Sequence, residues 1–141
     1  MDRKELLDAC YDENKRILKQ YGYYYNAHLK EGKKPEDLED VDGAEIERIA
    51  AFLKNHPMYP QRKRRKHIRY RGDVYYLGDS YGLKHVVERF LTPSYCANGD
   101  FIAACMAVGF VVVPQPESPN ADIYIPCDRV RSSERYYIAV L

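Results

Sequence analysis

The chain has no tryptophan, no two cysteines in CxxC spacing and no HxxxH or HExxH pair, and no apolar run approaches the ~20 residues needed to span a bilayer. Each absence removes a class of protein. Cys10, Cys96, Cys105 and Cys127 are scattered, and the opening MDRKELLDAC is charged and amphipathic, with no hydrophobic signal segment. The thiols therefore read as reduced and not as a disulfide framework, and the expected location is the cytoplasm, away from membranes. His28, His56, His67 and His85 also lack ligand spacing, so no metal site is assigned. Without a glycine-rich phosphate loop or a paired-carboxylate signature, no cofactor and no catalytic residue is assigned either.

What is present is globular: 45% hydrophobic and 30% charged residues over 141 positions, enough for one domain and one core. Tyrosine is abundant, with 14 copies, and its amphipathic ring suits core margins, interfaces and base stacking alike. The formal net charge of +1 conceals a strong asymmetry. QRKRRKHIRYR, residues 61–71, holds seven of the 22 Lys/Arg and no acid, leaving 15 cations against 21 acids elsewhere.

Along the chain, Leu7, Cys10, Asn14, Ile17, Tyr21, Tyr24 and His28 keep a 3,4 spacing, the seam of a helix from Asp2 to about Lys30 that Gly32 and Pro35 stop. Such a seam packs on the chain's own sheet or, with Asn14 fixing register, against a second copy in a homodimer. Asp42 in capping-box spacing with Glu45 starts a second helix facing inward with Ile46, Ile49, Ala50 and Leu53. Pro57 and Pro60 then carry the chain in extended form into the basic segment. After the Gly72 break, 73–77 favours a strand. Asp79 or Ser80 caps a helix to Leu91 with Leu83, Val86, Val87 and Phe90 inward. Asn98 caps a further helix, GDFIAACMAVG, apolar nearly all round and ended by Gly109. Residues 110–113, 122–125 and 136–141 read as strands. The expected fold is α+β: N-terminal helices, then a small antiparallel sheet of about four strands packed on a buried hydrophobic helix. Within one domain, residues 1–56 are expected to be helical, 57–71 to form a basic connection and 72–141 to form an α/β core.

SYGLKH, residues 80–85, followed by YCANGDFIAACMAVGF, residues 95–110, resembles a pattern found in small uncharacterised proteins of bacteria, plasmids and phages. The resemblance implies a bacterial or mobile-element accessory protein and carries no activity with it.

The charge asymmetry points to nucleic acid. Arg62, Lys63, Arg64, Arg65, Lys66, His67, Arg69 and Arg71 can approach phosphates and release counterions, the arginines by forked hydrogen bonds, while Tyr70, Tyr75 and Tyr59 offer faces to unpaired bases. The competing reading takes this segment as solvated surface, or pairs it with the acidic stretch 36–47, seven acids followed by the single cation Arg48. Two other functions fit the composition. A tyrosine- and arginine-rich surface suits a regulator or inhibitor docked on a nucleic-acid enzyme. Ser80, Lys84 and Glu88 at i, i+4 and i+8, with His85, place four chemically capable side chains on one face opposite Leu83, Val87 and Phe90, as a hydrolase or transferase would need. The same residues also describe a cap, a surface ion pair and a polar histidine.

Overall fold

The computed structural model describes residues 2–21, 43–58, 66–116, 118–129 and 138–140. The helix extension beyond Tyr21, the Asp42 cap, the acidic residues before Gly43, Tyr59 and residues 62–65 lie outside them. The elements run α1 (Arg3–Tyr21), α2 (Gly43–Asn55), β1 (Lys66–Tyr70), β2 (Asp73–Asp79), α3 (Ser80–Glu88), α4 (Asn98–Ala107), β3 (Val111–Pro114), β4 (Ala121–Pro126), a 3-10 turn Cys127–Arg129, and β5 (Ile138–Val140).

The fold is α+β. Among the described residues one sheet has the order β3-β4-β2-β1-β5, its first four strands antiparallel to their neighbours and β5 parallel to β1. Strand alternation divides the side chains between two cores. Ile68, Tyr70, Tyr75, Leu77, Tyr124, Val111 and Val113 join Leu7 of α1 on one side. On the other, Tyr76, Val112, Ile123 and Ile125 meet α4, where Phe101 to Met106 are all buried, as an apolar-all-round helix requires. Ile46, Ile49, Ala50 and Leu53 of α2 complete that core.

α1 crosses the edge of the sheet at β3. Leu7 reaches one core and Ile17 the other, and between them Asn14 faces the open main chain of the edge strand. Its Oδ1 accepts from Val112 N at 2.7 Å, and its Nδ2 donates to Val112 O at 3.3 Å. One side chain thus replaces the missing next strand and covers an edge that would otherwise be open to pairing. Leu7, Asn14 and Ile17 are therefore spent within the chain, the first of the two packings their spacing allowed.

Several boundaries differ from expectation. The connection expected over 57–71 becomes strand β1 at Lys66, because Ile68 and Tyr70 alternate into the core and Arg71 and Gly72, with φ of 52° and 83°, make a two-residue hairpin turn into β2. α3 ends at Glu88 and not Leu91, so Phe90 is 52% exposed and stacks on Phe52 of α2. Asp79 does cap α3, accepting from Gly82 N. Asn98 is not the cap of α4: that position is Ala97, and the Asn98 amide instead donates to Pro119 O and Asn120 Oδ1 across the β3–β4 loop. No helix among the described residues is long and apolar enough to cross a membrane.

Candidate nucleic-acid interface

Strand geometry separates the residues of the basic segment. Lys66 pairs with Leu77 near the end of β2, whereas Arg71 sits in the hairpin turn at the opposite end of the sheet, roughly 16 Å away at strand spacing. Among the described residues, Lys66 and Arg71 therefore lie at opposite ends of β1. Arg62, Lys63, Arg64 and Arg65 lie outside the described residues.

Of the rest, Arg69 is exposed and meets no carboxylate among the described residues. His67, expected at phosphates, is buried against the Tyr76 ring, with centroids 5.5 Å apart. Tyr70 and Tyr75, expected to stack on bases, are buried beside one another at 6.1 Å because even positions of β1 and odd positions of β2 face the α1 side. Arg71 is only partly available. Its Nε donates to Tyr70 Oη at 2.9 Å, its NH2 donates to Asp8 Oδ1 at 3.2 Å, and its guanidinium lies 4.1 Å over the Tyr11 ring. The Tyr70 hydroxyl also donates to Asp8. Tyr70 and Arg71 hold the Asp8 carboxyl below its ordinary range, and burial with the Asp8 contact pushes Tyr70 up to about 12. These groups tie the hairpin to α1.

A second polar cluster sits on α3, and it is not the open face that the spacing suggested. Ser80 and Lys84 are buried, at 0% and 5% exposure. Ser80 Oγ accepts from Ala121 N, fastening α3 to β4, and no hydrogen bond joins it to Lys84. The Lys84 ammonium donates to Cys96 O at 3.0 Å and lies 3.6 Å from Glu88. Glu88 in turn accepts from Cys96 N at 3.0 Å and contacts His85 Nδ1 at 2.8 Å. A serine occupied by a main-chain amide and a lysine occupied by a carbonyl and a carboxylate hold structure; they do not form a nucleophile and its base. Burial raises the Glu88 carboxyl, but the Cys96 amide, His85 and Lys84 more than offset it and leave it below the usual value. Burial and the adjacent Glu88 charge push the Cys96 thiol up to about 11. It is no nucleophile at neutral pH.

Two side chains that the sequence pattern did not single out stand beside this cluster. Tyr81 and Tyr95 are 52% and 69% exposed, and their ring centres lie 5.6 and 5.0 Å from the Lys84 ammonium. Arg48, unmarked except as a lone cation after the acidic stretch, donates to Pro93 O and Tyr95 O and so fixes the loop carrying Tyr95. Tyr81, three residues before Lys84 on a helix, was the available signal.

A cavity of about 660 Å³ opens at the other end of the sheet, between Leu53 and Lys54 of α2, the Gly109 turn, Asp73 and Asp128. Two carboxylates against one ammonium give it the wrong sign for phosphate. Among the described residues no group of three or more His, Cys, Asp or Glu could hold a metal ion. Comparison of the chain with protein-family models, curated proteins and solved structures finds no match.

Proposed function

We propose that this chain is a small nucleic-acid-interacting accessory protein that holds the backbone of DNA or RNA through its basic segment. Arg62, Lys63, Arg64 and Arg65 are the principal contacts, with Lys66 and Arg69 continuing them into β1. The observation that carries this reading is the density of seven cations in eleven positions without an acid, in a chain otherwise negative by six charges. Each phosphate neutralised releases counterions, so affinity arises without sequence readout and falls as salt rises. Two features of the fold support it. The run is joined to a hydrogen-bonded strand, and Arg69 is exposed with no acid beside it among the described residues. Arg71, engaged by Asp8, contributes less, while His67, Tyr70 and Tyr75 build the scaffold. The resemblance over 80–85 and 95–110 sets the proposal in a bacterial or mobile-element context.

The test is Arg64→Ala with Arg65→Ala, read as affinity for generic nucleic acid over a salt series. Loss of two phosphate contacts should shallow the slope of log affinity against log salt by about 1.4 to 1.8. The melting temperature should stay that of the wild type. Affinity and slope both unchanged would reject the proposal. A partner protein captured equally well after nuclease treatment would move the reading to a protein-docking regulator.

A further inference from the structure

We infer that the polyanion is single-stranded, and that Tyr81 and Tyr95 are the faces on which its unpaired bases stack. This rests on the nucleic-acid reading above and names the class of ligand. An exposed tyrosine alone means little, but these two converge on one nearly buried ammonium, Lys84, at 5.6 and 5.0 Å.

The way Tyr95 is held is the second observation. Four main-chain atoms around it are fixed from two helices: Arg48 of α2 takes Pro93 O and Tyr95 O, Lys84 of α3 takes Cys96 O, and Glu88 takes Cys96 N. Desolvating the Lys84–Glu88 pair is costly, and hydrophobic residues of similar volume would stabilise a fold as well. Here the pair fixes a loop whose aromatic side chain buries little of itself, at 69% exposure. An aromatic ring displayed on a rigid support binds a flat partner at low entropic cost, because the ordering is already done.

The ammonium near both rings belongs to their support. An ammonium has three N–H donors, and Lys84 makes one hydrogen bond, to Cys96 O, beside its 3.6 Å approach to Glu88. Lys84 is 5% exposed and engaged by both partners, so it supports the rings and is not itself a ligand contact. His85, half exposed and edge-on to Tyr81 at 4.5 Å, borders the same surface.

Position links this surface to the charge. β2 runs two residues past the Leu77–Lys66 pair and turns directly into α3, whose second residue is Tyr81. Lys66, the first described residue of the basic segment, therefore stands at the end of the sheet where α3 begins. In a duplex the base faces are stacked on their neighbours, whereas a single strand offers them to aromatic rings.

The experiment compares fluorescence anisotropy of a labelled oligothymidylate with that of a duplex of equal length. The proteins are the wild type, Tyr81→Ala/Tyr95→Ala, Tyr81→Phe/Tyr95→Phe and Arg64→Ala/Arg65→Ala. The alanine pair should weaken oligothymidylate binding roughly 10-fold or more, with duplex binding and the salt slope unchanged, and the phenylalanine pair should retain affinity. The arginine variant should shallow the slope for both probes. Oligothymidylate binding unaffected by the alanine pair, or weakened no more than duplex binding, overturns the inference and leaves the nucleic-acid reading standing. Failure of the wild type to bind either probe overturns both. Both rings are solvent-facing, so a wild-type melting temperature for the alanine pair verifies that folding is intact.

Discussion

A single amide, Asn14, decides how the first helix meets the sheet. A buried N–H left without an acceptor costs ~1–3 kcal/mol, and Val112 N has Asn14 Oδ1 as its partner at 2.7 Å. Asn14→Ala should therefore lower the unfolding free energy by about that much in urea titrations. Asn14→Asp tests the other half of the pair: the carboxylate still accepts from Val112 N but loses the N–H that donates to Val112 O at 3.3 Å, placing negative charge against a carbonyl. The aspartate should be at least as unstable as the alanine at neutral pH and should partly recover when protonated in acid. An asparagine in an otherwise apolar seam equally fits a register device between two copies, and sequence spacing does not separate the two. What separates them is an edge strand 98 positions away in the chain.

At the scale of elements, the junction of β2 with α3 is the tightest place. A Cβ built at Gly78 would lie 2.5 Å from Leu83 Cδ1 and 2.9 Å from its Cγ, and Leu83 is fully buried. Gly78→Ala should thus cost ~1–3 kcal/mol by overpacking, and the cost should shrink when Leu83→Ala opens the space, a coupling that a double-mutant cycle measures. Elements whose own residues carry their signal were legible: α4, apolar on every side, and α2, with its inward Ile46, Ile49, Ala50 and Leu53. β1 was not, since its inward Ile68 and Tyr70 stand among cations that read as solvated surface. The Arg71–Gly72 turn also lacks the Asn-Gly or Asp-Gly pair that announces a hairpin. For the candidate site the cations were legible as composition. The inward turn of His67, Tyr70 and Tyr75 depends on register with β2, and the exposure of Tyr95 depends on Arg48, 47 residues earlier.

For the whole molecule, the titrating groups shifted within and between its described elements define a pH window of stability. On the acid side, Asp8 is held below its ordinary 3.8 by the Tyr70 hydroxyl and then Arg71, against some burial; Glu13 is held below 4.5 by Arg16; Glu88 falls below 4.5 once its hydrogen bonds and Lys84 outweigh burial. A carboxyl whose folded pKa is lowered contributes stability in full above its unfolded pKa, and that contribution disappears as pH falls through the folded value. On the alkaline side the sign reverses. Tyr70, raised from 10.0 to about 12 by burial and Asp8, and Cys96, raised from 9.0 to about 11 by burial and Glu88, keep their protons in the fold at pH values where the unfolded chain releases them. Their contribution is complete below the unfolded values and declines between 9.0 and about 11 for Cys96 and between 10.0 and about 12 for Tyr70. Melting temperature against pH should accordingly show a plateau from about pH 5 to about pH 9 with a decline on both sides. Asp8→Asn separates the contributions, because it removes one carboxyl from the acid decline and the negative charge that helps Tyr70 retain its proton. The acid limb of this variant should be shallower, and Tyr70 should ionise at lower pH in an ultraviolet titration. A Tyr70 titration identical in the two proteins would show that α1 and the hairpin are not joined through this carboxylate in solution.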